Sequence, residues 1–145
     1  MNRVFPGDPN GTITEIIADY FSRTLLPLAD YVVDVHSGGK TLEFVPFACV
    51  HVLDNKEQQA RCVAAMEAFN APYSMMLLEL DAAHMYDTAA ENQGKVFVGT
   101  EIGGGGSADA SSRRCLCRLV DRRRADNESP RRPNNWHVAT AVPDP

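Results

Sequence analysis

The chain has 145 residues, enough for one domain at most, and its 44% apolar and 23% charged residues exclude a fibrous or wholly disordered chain. No apolar run reaches the roughly 18 residues of a membrane helix, and no charged, apolar, then small-residue pattern of a secretory leader opens it. The net charge of −5 hides a split: residues 1–112 hold six Lys/Arg against fifteen Asp/Glu, whereas residues 113–145 hold eight Arg, no Lys and four acids.

Residues 2–11, NRVFPGDPNG, carry two prolines and two glycines and predict a loop. Thr12-Ile-Thr-Glu15 is a capping-box pattern, and Ile13, Ile16, Ile17, Tyr20 and Thr24 follow at helical spacing. This predicts a helix over 12–26, stopped by Pro27. Tyr31-Val-Val-Asp-Val35 reads as a strand buried on both faces, and 42–45 as another short strand. Asp54-Asn-Lys-Glu57 repeats the capping pattern, with Asp54 as the cap and a helix over 55–69. Residues 75–80 predict a strand, 85–92 a helical turn ended by Gly94, and 95–99 a strand with Glu101 just past its end.

From Ser111 onward no amphipathic period survives, and Arg and Pro crowd together, which predicts a disordered tail over 111–145. An Arg- and Pro-rich stretch without Lys is also what an out-of-frame reading of GC-rich DNA gives. The cysteines, at 49, 62, 115 and 117, form no disulfide framework, so a reducing cytoplasmic setting is expected.

Strand ends carry the first candidates for chemistry, because ligands of open α/β sheets gather beyond the carboxyl ends of strands. His36 follows YVVDV and Glu101 follows KVFVGT. A His ligand and a carboxylate base around one water form the working pair of hydrolytic zinc sites. Arg3, beside Asn2, has the fork geometry to grip a substrate carboxylate or a developing oxyanion. Taken alone, each of these residues also fits a plain surface loop. The Gly103–Gly106 run lacks the Lys-Ser/Thr of a phosphate loop and reads as a tight turn. His51-x-x-Asp54 and His84-x-x-Asp87 have a spacing that permits metal binding and that also arises by chance.

NRVFPGDPNGT, DVHSGG and TEIGGGG, in this order and spacing, resemble the succinylglutamate desuccinylase/aspartoacylase family. The similarity is nearest to its N-acetyl-diaminobutyrate deacetylase branch, associated with ectoine breakdown. AFNAPYSMMLLELDAAHMYDTAAENQGKVFV adds to it, and residues 2 to 108 are covered. The resemblance implies a partial zinc-carboxypeptidase-like α/β fold over 1–110, a mixed sheet flanked by helices. It implies hydrolysis of the linear amide of a small N-acyl, typically N-acetyl, amino acid. His36 then matches a zinc-binding His, Glu101 the catalytic base, and Asn2 and Arg3 the substrate-binding pair, with Asp34 orienting His36. The family's H-x-x-E zinc pair lies upstream of its Asn-Arg motif and is not among these residues. The expectation is therefore a fragment with one zinc ligand, inactive alone. Two alternatives stand beside it: a site completed by another chain or by the H-x-x-D residues, and a non-catalytic fragment whose basic tail binds nucleic acid nonspecifically. The second is weakened by a single tail aromatic, Trp136, for base stacking.

Overall fold

The computed structural model describes residues 1–78 and 82–106, together with the backbone of 136–139. Helix α1 spans Ile13–Tyr20 and has both halves of the expected capping box: Glu15 Oε2 accepts the Thr12 N–H at 2.7 Å, and Thr12 Oγ1 accepts the Glu15 N–H. Pro27 does not stop the helix as expected. A π-helical turn over Phe21–Leu25 intervenes, followed by α2, Leu26–Leu28, and the chain becomes extended only at Ala29. The Leu26 N–H reaches back to the Phe21 carbonyl, one residue further than in an α-helix. That wider turn draws aside the carbonyl four residues before Pro27, with which its ring would otherwise clash.

The strands are β1 (Tyr31–His36), β2 (Phe47–His51), β3 (Tyr73–Leu77), β4 (Val96–Glu101) and β5 (Trp136–Ala139), in the sheet order β3-β2-β4-β1-β5. The sheet is mixed. β1 runs parallel to β4 and β5, and β2 parallel to β3, while β2 and β4 are antiparallel. Helices α3 (Lys56–Phe69) and α4 (Tyr86–Asn92) connect them. The expected strand at 42–45 is reduced to a bridge between Glu43 and Gly104. Gly38 and Gly105 take up the Leu42 backbone groups, and the strand begins beyond Pro46 instead. The cap of α3 is Asn55, whose Oδ1 accepts from the Glu57 and Gln58 N–H groups, rather than Asp54. The expected disordered tail falls outside the described residues, apart from the four that form β5.

Alternation along the strands divides the core between two faces of the sheet. Val33, Val96, Val98, Ala48 and Val50 pack against Cys62, Met66 and Phe69 of α3. Val32 and Phe97 face the other way, against Phe5, Leu26 and Tyr86. Each large side chain buried here contributes about 1.5–3 kcal/mol. The apolar stripe read from the sequence of α1 faces outward: Ile13 is 78% and Tyr20 54% exposed, and Ala18 alone in α1 is buried. Strand β3 forms the other sheet edge, with Tyr73, Met75 and Met76 exposed.

Candidate functional site

His36 and Glu101 are register partners, each the last residue of its strand and not beyond it. Because β1 and β4 are parallel, both side chains leave the carboxyl end of the sheet on the same face. The glycines of the two motifs hold these ends together. The Gly38 N–H donates to the Gly103 carbonyl at 2.9 Å, and the Gly106 N–H to that of Gly39 at 2.7 Å. A Cβ on Gly104 would lie 2.1 Å from the Leu42 carbonyl oxygen, and one on Gly38 2.3 Å from it, so both loops close around that carbonyl.

Asp34 precedes His36 by two residues and therefore shares its face. His36 Nε2–H donates to Asp34 Oδ2 at 2.7 Å, and this bond raises the His36 pKa above its ordinary value against the opposing effect of burial. Burial also raises the Glu101 carboxyl; His36 draws it down in part, and Asp34 adds to the rise. Asp34 Oδ1 and Glu101 Oε2 are buried without a hydrogen-bond partner. Buried polar atoms are almost always paired, and exceptions gather where chemistry is done.

These groups face a cavity of about 220 Å³ that Asn2 and Arg3 also line. The structure thus brings all four expected site residues together. Asn2 has a further task. Its Oδ1 accepts the Tyr86 N–H at 2.6 Å and supplies the cap that Met85 does not give to α4. Arg3 is exposed and donates from Nη1 to the Asn2 carbonyl.

The two H-x-x-D triplets come apart, and one residue of each meets across the cavity wall. His51 Nδ1–H donates to Glu91 Oε2 at 2.9 Å, while His51 Nε2 faces Asp87 Oδ2 at 3.9 Å. All three residues are at least 91% buried. Asp54 is exposed, and His84 Nδ1–H donates to the Phe5 carbonyl at 3.1 Å. Sequence reading passed over Glu91, which lies forty residues from His51; four-residue spacing from Asp87 along α4 was its one local signal.

Residues 1–125 match the succinylglutamate desuccinylase/aspartoacylase catalytic domain, further than the 2–108 read from motifs. The chain belongs to this family. It is 54% identical over 121 residues to the N-alpha-acetyl-L-2,4-diaminobutyric acid deacetylase of Halomonas elongata, covering 83% of this chain and 35% of that protein. The product-bound structure of the ectoine utilization protein EutE (DoeB) from Ruegeria pomeroyi has a TM-score of 0.80 at 54% identity, over 99% of this chain and 44% of that one. A succinylglutamate desuccinylase from Silicibacter sp. TM1040 has a TM-score of 0.78 at 58% identity, over 83% and 38%. The chain therefore spans about a third of the length of the curated relative. The mixed, helix-flanked sheet expected from the motifs is the fold it shares with these structures.

Zinc, which the resemblance implies, needs about three protein ligands. Among the described residues no group of three His, Cys, Asp or Glu side chains is placed to hold a metal ion. The Asp34–His36 hydrogen bond is of the kind that orients a metal-ligating His, so the residues present fit one ligand position and not a whole zinc site. No described helix is long and apolar enough to cross a membrane.

Proposed function

We propose that the chain carries part of the catalytic centre of a zinc-dependent deacylase acting on small N-acyl amino acids, and that the chain by itself does not turn over. The observation that supports this most is the pairing of His36 with Glu101 at adjacent strand ends over a cavity shared with Asn2 and Arg3. In this reading Glu101 is the proton acceptor. Burial favours the neutral form of its carboxyl, which brings the pKa nearer to the range useful for taking a proton at neutral pH. Arg3 and the Asn2 amide nitrogen grip the substrate carboxylate, and His36, oriented by Asp34, supplies one metal ligand. The compartment that goes with this activity is the cytoplasm.

Zinc stoichiometry on the purified chain, beside His36→Ala, tests the incompleteness. The expected result is no tight one-to-one site and no release of acetate from N-acetyl amino acids. A tight site lost in His36→Ala, together with turnover, overturns it. Substrate recognition is tested separately by titration with an N-acetyl amino acid, which is expected to shift the backbone amide resonances of Asn2, Arg3 and Glu101. Unmoved resonances would sink that part of the proposal.

A further inference from the structure

Gly99 stands inside a central strand, where glycine is a poor choice. β4 has β1 on one side and β2 on the other, and Gly99 pairs with Asp34 and with Cys49 across the two ladders. A strand glycine costs backbone entropy and packs nothing; it marks a bulge, a sharp bend, or a place where a ligand or a second backbone comes close. The first two do not apply. The β1–β4 register runs unbroken from Tyr31 and Val96 to His36 and Glu101, and Gly99 has no left-handed φ. Nor does a second backbone lie over it. A Cβ on Gly99 would meet Cys49 Sγ at 3.0 Å and the Phe97 ring at 3.7 Å, and the nearest backbone atom is the Cys49 carbonyl oxygen of the paired strand, at 3.9 Å. A ligand is the reason that remains. Gly99 lines the cavity and is partly exposed, although strands flank it on both sides.

Its position decides which part of a substrate passes over it. Glu101 is two residues further along the same face, about 7 Å nearer the carboxyl end of the strand. Phe97 is two residues the other way, and its ring meets that of Tyr86 edge-on, with centroids 5.8 Å apart. Asn2 is tied to the same Tyr86 through its N–H. The carboxylate grip and the base therefore stand on opposite sides of Gly99. In an N-acyl amino acid a single atom, Cα, joins the carboxylate to the amide nitrogen. With the carboxylate at Asn2 and Arg3 and the amide at Glu101, Cα lies over Gly99.

We propose that Gly99 determines specificity: its missing side chain leaves a slot, walled by the Cys49 thiol and the Phe97 ring, that takes an amino-acid side chain unbranched at Cβ and turns away a β-branched one. This rests on the deacylase reading and adds to it a limit of shape on the substrate side chain. The slot is narrow, since one methyl carbon on Gly99 already crowds the thiol. An extended methylene chain threads such a gap. A second carbon on the substrate Cβ presses on one wall or the other, and close-packed walls resist that. The atom that a Cβ on Gly99 would press is the end of a side chain, so Gly99→Ala narrows the slot without forcing the backbone.

The test titrates N-acetylnorvaline, N-acetylvaline and N-acetylglycine into the chain and reads affinity from the Asn2 and Glu101 amide resonances. Norvaline and valine are isomers, so their difference reports shape alone. On the parent chain N-acetylnorvaline is expected to bind about tenfold more tightly than N-acetylvaline. In Gly99→Ala it should fall to within about twofold of N-acetylvaline. N-acetylglycine has nothing to place in the slot and should keep its parent affinity, which also reports that the variant folds. Equal affinities for the two isomers on the parent chain overturn the slot and leave the deacylase reading standing; that comparison needs no variant. An advantage of norvaline that survives Gly99→Ala overturns it as well. So does a loss of N-acetylglycine as large as that of N-acetylnorvaline, which would make Gly99 a structural residue only. Binding of none of the three to the parent chain overturns both readings.

Discussion

The Asn2 carboxamide oxygen accepts the Tyr86 N–H at 2.6 Å across eighty-four residues of sequence. The motif read as a substrate grip is therefore also the N-terminal cap of α4, the helix that carries Asp87 and Glu91. Phe5 secures the same loop. It is 1% exposed, and its ring centroid lies 5.0 Å from that of Tyr86.

Removing this cap has a predictable cost. Asn2→Ala is expected to lower unfolding stability by about 1 kcal/mol, the usual loss for a capping side chain. Asn2→Asp keeps an acceptor at the same place and should retain most of it. Urea unfolding of the two variants checks this; equal losses would show that the oxygen does not act as a cap.

Glu101 sets a pH dependence. Its folded pKa is raised above the ordinary carboxylate value of 4.5, so between the unfolded and folded values the native state binds more protons than the unfolded one. Stability then falls as pH rises through that window, and the penalty is fully present above it. Glu101→Gln removes the penalty. Relative to the parent chain, the variant should be more stable at neutral pH than at a pH about one unit below 4.5. A stability difference independent of pH, from denaturant midpoints at the two values, would contradict the shift.

Much of this was legible in the chain and some was not, for physical reasons. β1 could be read because Tyr31-Val-Val-Asp-Val35 is an unbroken strand-forming run. β2 was missed because Phe-Ala-Cys-Val-His has one β-branched residue and follows a proline. His36 and Glu101 were found because glycine-rich motifs mark the two strand ends, although both residues close their strands. The His51–Glu91 pair left no such mark, because a contact made across forty residues writes no local pattern.

The start of α3 separates two adjacent residues. Asn55 Oδ1 accepts from the N–H groups of Glu57 and Gln58, both at 3.1 Å, while Asp54 is exposed. Asn55→Ala is expected to cost about 1 kcal/mol and Asp54→Ala a few tenths. The reverse order in thermal unfolding would return the cap to Asp54.

Gly104 and Gly39 distinguish crowding from backbone strain at the mouth of the site. Gly104 has no left-handed φ, but its added Cβ would meet the Leu42 carbonyl oxygen at 2.1 Å and the Glu43 Cα at 3.1 Å. Those atoms are backbone and belong to a turn tied to Gly38 and Gly105 by hydrogen bonds, so they have little room to retreat. Gly39 is the opposite case: φ is +62° and nothing lies within 4 Å of an added Cβ. Gly39→Ala should therefore cost only the left-handed penalty, about 1–2 kcal/mol. Gly104→Ala should cost at least the about 1–3 kcal/mol typical of overpacking. It should also shift the His36 and Glu101 amide resonances, because the crowded loop follows directly from β4 and its Ile102 N–H donates to the His36 carbonyl at 2.9 Å. Gly39→Ala should leave the Glu101 resonance in place, since the strain stays at a turn open to solvent. If both variants lose equal stability and leave both resonances unmoved, the two glycine motifs do not hold the strand ends in register, and the pairing of His36 with Glu101 depends on the β1–β4 ladder alone.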